Sequence, residues 1–343
     1  MKKVVVIGGG FAGSKIAKSL EKDFEVTLID TKDYFEYTPA VLRAIVQPEY
    51  IRKIQVMHTH YLKRAAVITG AAKSISESDV SVKKEKIKFD YLVIASGSKY
   101  SFPFKEHEAL IAHRASSLRN HYEQLHEAQK ILIIGGGLSG IELAGEIIDK
   151  YPKKEITIVH AADRLMERQK ESASKYVQKY LEKKGIKVIF NELIQGCVKN
   201  EYSTNKGTKI QTDLAFLCVG ITPCSSFMKP NFASLVNERG FIAVNEFLQM
   251  KDRSNIFVAG DVTDIKEEKT AQLSEKHADV VVENIKRLEA GKPLIQYKHK
   301  DIAMLMSLGK RNGVLTYKNF FMKGKIPRMI KNYVQARDIR ETA

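Results

Sequence analysis

Residues 3–30 read KVVVIGGGFAGSKIAKSLEKDFEVTLID, and this stretch decides the fold. A short apolar run leads into three consecutive glycines, an amphipathic segment follows, and a second apolar run ends at Asp30. The pattern predicts a buried strand, a glycine turn, a helix and a second strand. This order is typical of α/β units with parallel strands.

The glycines of this turn are spaced G-x-G-x-x-G, at Gly8, Gly10 and Gly13. The first permits a tight turn, the second lets the backbone approach a pyrophosphate, and the third allows close packing of helix on strand. The helix N-terminus stabilises the phosphate charge. Asp30 ends the next strand, where an acid accepts hydrogen bonds from an adenosine ribose. The stretch therefore predicts a bound dinucleotide.

A second copy of the unit occupies residues 130–160, KILIIGGGLSGIELAGEIIDKYPKKEITIVH. Its glycines are Gly135, Gly137 and Gly140, but its second strand ends at His160 instead of an acid. A carboxylate there would repel a 2′-phosphate, whereas His160 and Arg164 could tolerate one. We therefore expect two dinucleotides, the second being NADH or NADPH, with both usable.

A third buried strand, NIFVAGD at 255–261, is expected to return to the first sheet, so that the second unit is an inserted domain. The fold class is α/β, with two Rossmann-like dinucleotide-binding domains and a small C-terminal α+β region. The expected boundaries are 1–108 and 239–292 for the first domain, 109–238 for the inserted domain, and 293–343 for the C-terminal membrane or interface region.

The composition limits location and partners. No run of about 18 apolar residues indicates a spanning helix, and the apolar run after Lys3 stops too early for a signal peptide. The net charge of +16 favours anionic partners, although no recognised nucleic-acid module is present. Three cysteines without metal-ligand spacing favour a reducing compartment and predict no metal site. We expect a cytoplasmic protein, with peripheral attachment to the cytoplasmic face of a membrane as an option.

The arrangement resembles the two-dinucleotide-binding-domain flavoproteins, above all type II NADH dehydrogenases and apoptosis-inducing-factor-like ferroptosis suppressor proteins. The resemblance covers essentially the whole chain. It is carried by GGGFAG at 8–13, DxKDxF at 30–35, LRA at 42–44, GGGLSGIELAGEI at 135–147, CVG at 218–220, GD at 260–261, HAD at 277–279 and SLGKRNGV at 307–314.

The resemblance implies FAD in the first domain and a nicotinamide dinucleotide in the second. On the FAD side it implies roles for Gly8, Gly10, Phe11, Ala12, Gly13, Asp30, Lys32, Arg43, Ile68, Ala95, Ser96, Gly97, Gly260 and Asp261. On the nicotinamide side it implies roles for Gly135, Gly137, Leu138, Ser139, Gly140, Glu142, His160, Arg164 and Gly220. Glu142 would lie where the nicotinamide stacks on the flavin, although a carboxylate early in a helix is also favourable without a ligand.

Many relatives pass electrons from flavin through cysteines, but residues 1–196 contain none. Cys218 ends a buried strand and is expected to be a core thiol. Electrons would then leave the flavin directly, and the resemblance favours a quinone as acceptor. Ala271-Gln272-Leu273-Ser274-Glu275 matches the A-Q-x-x-Q element of type II NADH dehydrogenases except at the last position. An ordinary helix start capped by Thr270 is about equally plausible. The resemblance also places Lys331 near the flavin, and it implies Glu142, Gln272 and Lys331 as the catalytic residues.

The tail between Lys318 and Arg340 carries seven Lys or Arg and one acid. Pro327 suits a first helical position. A helix would place the polar Arg328, Lys331 and Gln335 opposite an apolar face. That face consists of Ile326, Met329, Ile330, Tyr333 and Val334. It could lie on an anionic membrane surface, on the core of the chain itself, or on a second subunit in a homodimer.

Two other functions remain open on sequence grounds. A soluble reductase of a small acidic electron carrier, or of oxygen, would also use the basic charge, and its rate would fall with salt. A redox-sensing protein with incidental flavin turnover is the other alternative. The sequence predicts an FAD-dependent NAD(P)H:quinone oxidoreductase ahead of both.

Overall fold

The computed structural model describes residues 1–100 and 110–342, and the predicted domain boundary at 108 and 109 lies outside them. The helices are α1 (Phe11–Leu20), α2 (Val41–Val46), α3 (His58–Tyr61), α4 (Ile111–Glu127), α5 (Leu138–Lys150), α6 (Glu171–Lys183), α7 (Lys229–Phe232), α8 (Ala271–Glu289) and α9 (Lys325–Thr342). Short 3-10 helices cover Thr38–Ala40, Pro48–Lys53, Ser226–Met228, Ala233–Leu235 and Gly260–Val262.

The strands alternate with these helices. The first ten strands are β1 (Lys3–Ile7), β2 (Glu25–Asp30), β3 (Tyr34–Glu36), β4 (Gln55–Met57), β5 (Ala66–Thr69), β6 (Ala72–Ile75), β7 (Asp79–Val82), β8 (Glu85–Lys88), β9 (Tyr91–Ile94) and β10 (Ser98–Lys99). The next eight are β11 (Lys130–Ile134), β12 (Glu155–His160), β13 (Lys187–Phe190), β14 (Ile194–Val198), β15 (Glu201–Thr204), β16 (Lys209–Gln211), β17 (Leu214–Leu217) and β18 (Thr222–Pro223). The last four are β19 (Ile256–Val258), β20 (Met304–Leu308), β21 (Asn312–Tyr317) and β22 (Phe320–Gly324).

The first sheet is parallel, in the order β19, β9, β1, β2, β5. Its central strand β1 is buried from Val4 onward, as expected for a parallel strand covered on both faces. β19 pairs with β9 although the whole second unit lies between them in sequence, which confirms that the third strand returns to the first sheet. The carboxyl ends of these strands therefore meet at one edge.

The second sheet repeats the design on a smaller scale, with parallel strands in the order β13, β12, β11, β17. Antiparallel sheets β6–β8 and β14–β16 extend from the two units, and β10 pairs with β18 to join them. The predicted α/β architecture with two Rossmann-like units is confirmed.

The C-terminal α+β region consists of the antiparallel sheet β20–β21–β22 and helix α9. The helix begins at Lys325, so Pro327 is its third residue. The prediction of Pro327 as the first helical residue is wrong by two positions. The first turn tolerates this, since its amides have no partner within the helix. Of the helices described in residues 1–100 and 110–342, none is long and apolar enough to cross a bilayer.

Helix α9 turns its polar face inward. Arg328 and Gln335 are buried, whereas Ile326, Met329 and Tyr333 are 59%, 68% and 71% exposed. The alternative in which this apolar face packs on the chain's own core is therefore wrong for these three residues. The polar face turns inward because it meets carboxylates of α5, as the site geometry shows.

Candidate active site

The first glycine loop contains two glycines that the fold requires and one that it does not. A Cβ on Gly8 would lie 2.3 Å from the carbonyl oxygen of Ala95, and one on Gly13 would lie 1.8 Å from that of Gly8. A Cβ on Gly10 would meet no atom within 4 Å, and its φ of −78° is open to any residue. This space lies at the start of α1, where no side chain in the described structure caps the helix. The loop fits a dinucleotide pyrophosphate.

Asp30 lies beside this loop at the end of β2. Its Oδ2 accepts hydrogen bonds from Gly9 N at 2.9 Å and from His58 Nε2 at 3.1 Å. Burial acts to raise the pKa of Asp30, but the hydrogen bond from His58 and the charge of Lys32 outweigh it and hold the pKa below its ordinary value. The carboxylate is thus ionised and keeps acceptor sites for ribose hydroxyls. His58 was not predicted, because nothing in its sequence context indicates a contact with Asp30.

The remaining FAD-side residues gather around the same sheet edge. Ala95, Ser96 and Gly97 follow β9, and Ser96 Oγ donates to the carbonyl of Cys224 at 2.7 Å. Asp261 follows β19 and accepts from Ser98 Oγ at 2.7 Å. Phe11 and Ala12 open α1, and Ile68 lies on β5 opposite Ile29.

Arg43 and Lys32 have partners of their own. The Arg43 guanidinium lies 4.2 Å from the centre of the Tyr50 ring and its Nε donates to Gln47, and its role on the FAD side stays a prediction. The Lys32 amide donates to Asp30 Oδ1 at 3.3 Å, so Lys32 lies beside the carboxylate that is expected to bind the adenosine ribose.

The second glycine loop repeats the geometry of the first. A Cβ on Gly135 would lie 2.5 Å from the carbonyl oxygen of Cys218, and one on Gly140 would lie 2.0 Å from that of Gly135. At Gly137 a Cβ would again meet nothing within 4 Å, at the start of α5. The second loop therefore fits a second pyrophosphate.

This second loop opens onto a cleft of about 1300 Å³ that both units line. The predicted residues on its wall are Gly135, Gly137, Leu138, Ser139, His160, Gly220 and Leu273. Arg164 does not line it, and its guanidinium donates to the carbonyl of Glu167. The structure thus brings His160 to the cleft, but not Arg164.

Glu142 and Lys331, two of the three predicted catalytic residues, contact each other. Lys331 Nζ donates to Glu142 Oε1, which also accepts from Ser307 N at 2.6 Å and Ser307 Oγ at 3.0 Å. Both side chains are nearly buried, Lys331 being 13% and Glu142 10% exposed. The contact joins α5 to α9 and β20, so the tail is fixed to the second glycine unit. Ser307 belongs to the SLGKRNGV motif, whose role was not predicted.

One helical turn further along α5, Glu146 repeats this contact. Its Oε1 lies 3.6 Å from Arg328 Nη2, and its Oε2 has no hydrogen-bond partner in the described part of the chain. Burial raises the pKa of Glu146 above its ordinary value, although the charges of Arg328 and Arg43 oppose this. Glu142 and Glu146 explain why the polar face of α9 turns inward, since buried carboxylates require cationic partners.

Helix α8 carries the predicted quinone element at its start. Thr270 Oγ1 accepts from Leu273 N at 3.3 Å, which confirms the predicted cap. Gln272, the third predicted catalytic residue, follows Ala271 in the first turn and is half-buried. Glu275, where the family element has Gln, lines a cavity of about 180 Å³ between α1, α8 and α9 together with Asp338. Burial and the charge of Asp338 raise the pKa of Glu275 to about 7.

The three cysteines are reduced and differ in exposure. Cys197 is exposed on β14, and Cys218 and Cys224 are half-buried. Burial raises the pKa of Cys218 to about 12, which keeps it a thiol at neutral pH. This agrees with the predicted core thiol.

The second pyrophosphate cradle opens onto a cleft that is also lined by Thr263, Thr270 and Leu273 of the unit that carries the first cradle. A family model described as pyridine nucleotide-disulphide oxidoreductase matches residues 2–280. The chain belongs to this family, and it is an FAD-dependent enzyme that uses a nicotinamide dinucleotide.

The chain is similar to several other proteins over most of its length. It is 36% identical over 345 residues to apoptosis-inducing factor homolog A of Dictyostelium discoideum, covering 91% of this chain and 84% of that one. It is 30% identical over 347 residues to ferroptosis suppressor protein 1 of Homo sapiens, covering 96% and 92%. The sulfide:quinone oxidoreductase of Aquifex aeolicus shares the fold, with a TM-score of 0.86 at 20% identity over 100% of this chain and 92% of that one.

Proposed function

We propose that the enzyme takes hydride from NADH or NADPH onto FAD and passes two electrons directly to a quinone, without a redox-active disulfide. The FAD would supply the two-electron carrier, and the protein would supply binding, orientation and electrostatics. The observation that carries the proposal is that the cleft at the second glycine loop is lined by residues of both units, while residues 1–196, which contain both glycine loops, have no cysteine.

The residues of the second unit would position the nicotinamide dinucleotide. The amides of Leu138 and Ser139 begin α5 and would hold its pyrophosphate beside Gly137. Glu142, fixed by Ser307 and Lys331, would orient the nicotinamide end. The rigid support of this carboxylate favours a positioning role, because a site residue held by packing and hydrogen bonds loses little entropy on binding.

The acceptor side would be formed by the start of α8 and by the tail. Gln272 offers an amide that can donate a hydrogen bond to a quinone oxygen. Lys331 Nζ is a cationic hydrogen-bond donor, and its acceptor in this structure is Glu142. Quinone reduction consumes protons as well as electrons, so a cationic donor at the junction of α5 and α9 suits this acceptor.

Two of the three cysteines argue against a thiol relay. Cys218 stays protonated because burial raises its pKa to about 12, and a thiolate is the form that reacts. Cys197 lies exposed on the hairpin β14–β15 and does not line the cleft. Cys224, whose carbonyl accepts from Ser96 Oγ, is the cysteine that contacts the FAD side, and direct transfer from flavin to acceptor requires that its thiol can be replaced.

We further propose that the exposed apolar face of α9 lies on an anionic membrane surface, where a lipid quinone would arrive. Ile326, Met329 and Tyr333 point outward together, and Phe320 on β22 is 50% exposed. Lysine and arginine side chains flank them in the basic tail. Apolar anchors with nearby cations are typical of interfacial helices.

Stopped-flow kinetics test the acceptor. The protein is reduced anaerobically with NADH, and reoxidation is followed with a short-chain quinone, with oxygen and with a one-electron dye. We expect the quinone to reoxidise the flavin at the rate of steady-state turnover. Reoxidation by quinone that is slower than by oxygen would contradict the proposal.

Liposome flotation tests the membrane contact. The variant Ile326→Ser/Met329→Ser/Tyr333→Ser should lose binding to anionic phosphatidylserine vesicles. A control, Leu193→Ser/Val198→Ser, removes apolar residues that are equally exposed on the β14 region and should still float. Absence of binding by the unmodified protein, or equal binding by all three proteins, would contradict membrane attachment.

A soluble reductase of a small acidic electron carrier is the second candidate, and the net charge of +16 favours it. Steered association with an acidic protein weakens steeply with salt, whereas reduction of a neutral quinone does not. Turnover with short-chain quinone that varies less than about twofold between 50 and 300 mM salt would agree with the first proposal.

A further inference from the structure

The wall of the cleft beside His160 carries a carboxylate that the strand end itself lacks. Glu167 lies in the segment between β12 and α6, lines the cleft, and is 44% exposed. Its Oε2 lies 3.2 Å from His160 Nε2. An acid is therefore present near the ribose position, although the sequence has none at the end of β12.

The hydrogen bonds of His160 determine which of its ring nitrogens carries the proton and donates to Glu167. Gly136 N donates to His160 Nδ1 at 3.1 Å, so Nδ1 carries a lone pair and the ring proton is on Nε2. Nε2 then donates to Glu167 Oε2. In this tautomer His160 offers no positive charge to a 2′-phosphate, and the charge nearest to it is the carboxylate of Glu167.

The backbone holds Glu167 in this position. Met166 N donates to the carbonyl of Gly136 at 3.0 Å, and Met166 has a φ of +52°, an uncommon value for a residue with a side chain. This left-handed residue turns the chain immediately before Glu167. The glycine loop thus fixes both His160 and the segment that carries the acid.

The cations near this wall have other partners. Arg164 donates to the backbone carbonyl of Glu167, and Arg168 lies 3.8 Å from Glu268 on the opposite unit. Lys170 Nζ donates to Asn319 at 3.4 Å. The carboxylate of Glu167 therefore faces the cleft without a paired side-chain cation among these neighbours.

We infer that Glu167 is the residue that selects the nicotinamide dinucleotide, accepting a hydrogen bond from the adenosine ribose hydroxyls of NADH and repelling the 2′-phosphate of NADPH. The inference rests on the second cradle binding the nicotinamide dinucleotide and is independent of the electron acceptor. It narrows the expectation from sequence that both nucleotides are usable, because the 2′-phosphate meets an acid instead of Arg164.

Calorimetric titration of the FAD-loaded protein with ADP-ribose and 2′-phospho-ADP-ribose tests this without turnover. We expect ADP-ribose to bind at least about tenfold more tightly, given a partly solvated charge repulsion. Glu167→Gln should reduce the difference to less than about threefold, and Glu167→Arg should reverse it. Equal binding of both probes, or tighter binding of the phosphorylated probe by the unmodified protein, would overturn the inference.

Glu171→Gln is the matched control, because Glu171 is an exposed acid four residues away that pairs with Lys175 outside the cleft. It changes the net charge equally and should leave the preference unchanged. A rescue variant, His160→Asp/Glu167→Gln, moves the acid to the strand end as in the first unit and should restore the preference for ADP-ribose. A Glu171→Gln effect as large as that of Glu167→Gln, or failure of the rescue, would assign the preference to other groups.

The same variants can be followed by anaerobic flavin reduction, in which no acceptor takes part. The ratio of the reduction rates with NADH and NADPH at low concentration should follow the binding ratio. Loss of quinone reduction with an intact NADH preference would contradict the proposed acceptor and leave this inference standing. Equal use of NADH and NADPH with intact quinone reduction would contradict this inference and leave the proposed acceptor standing.

Discussion

The two glycine units share one backbone device and differ in the side chains behind it. In the first unit, Gly9 N donates to the carboxylate of Asp30, which also accepts from the imidazole of His58. In the second, Gly136 donates to the imidazole of His160, which is backed by the carboxylate of Glu167. The order of acid and imidazole is reversed, so the acid is 8% exposed in the first unit and 44% exposed in the second.

A second reversal occurs at the fifth residue of each helix. In α1 this residue is Lys15, whose exposed Nζ lies 2.6 Å from Asp279 of α8. In α5 it is Glu142, whose nearly buried carboxylate pairs with Lys331 of α9. The comparison teaches that the two units share a glycine spacing that fits a pyrophosphate, whereas the charged side chains beside each loop differ in sign, burial and partner.

The largest effect is expected from placing a charge in each cradle. Gly10→Glu should fold but fail to take up FAD, because the side chain fills space that no protein atom uses and repels phosphate. Gly137→Glu should remain yellow but lose reduction by NADH. Absorbance of the flavin band and thermal unfolding by circular dichroism measure both.

Gly13→Ala is the control for this pair, since its Cβ would lie 1.8 Å from a backbone oxygen. It should unfold or fail to express, while Gly10→Ala should remain folded. Flavin retained by Gly10→Glu, or NADH reduction retained by Gly137→Glu, would show that these loops do not hold the pyrophosphates.

The second-largest effect is expected in the contribution of the two ion pairs at the fifth helical residues to the free energy of unfolding. Lys331→Met leaves Glu142 buried without its cation and should lower the free energy of unfolding by roughly 3 kcal/mol. Lys15→Met breaks an exposed pair and should cost less than about 1 kcal/mol. Urea unfolding of the FAD-loaded proteins measures the difference, and equal losses would contradict the contrast.

The smallest effect concerns Glu275, at the interface of the first unit with α9. Because its folded-state pKa is raised to about 7, it contributes stability below about pH 4.5 that is lost as the pH rises to 7. Glu275→Gln should therefore stabilise the protein by on the order of 1–2 kcal/mol at pH 8, and the gain should vanish near pH 4.5.

The groups that face Glu275 are Lys15 of α1, Asp338 and Arg337 of α9, and Asp279 of its own helix. Glu283→Gln, on the same helix but paired with Arg287, serves as the control and should show no such trend. Thermal midpoints from pH 4.5 to 8 measure it. A gain that is independent of pH would contradict titration of Glu275 as its cause.

Features encoded by neighbouring residues could be predicted from the sequence. The strands of the two glycine units, both glycine turns and the Thr270 cap follow from local periodicity and spacing, and the return of β19 to the first sheet follows from the repeat. The contact of Glu142 with Lys331 brings together two residues that a family resemblance had singled out separately.

Features that depend on distant contacts could not be predicted. The periodicity of α9 left open whether its apolar face points inward, and it is Glu142 and Glu146 that require cations and draw Lys331 and Arg328 inward instead. His58 and Glu167 reach their partners only when the chain is folded, and neither lies in a motif.

The central claim is that electrons pass from nicotinamide through flavin to the acceptor with no sulfur between them. It is tested most directly with the variant Cys197→Ser/Cys218→Ser/Cys224→Ser, reduced anaerobically by NADH and reoxidised by a short-chain quinone in a stopped-flow instrument. We expect both half-reactions to proceed within about threefold of the unmodified rates, since no residue with a proposed role in either half-reaction is changed. Normal flavin reduction followed by a loss of quinone reoxidation of about a hundredfold or more would contradict the claim.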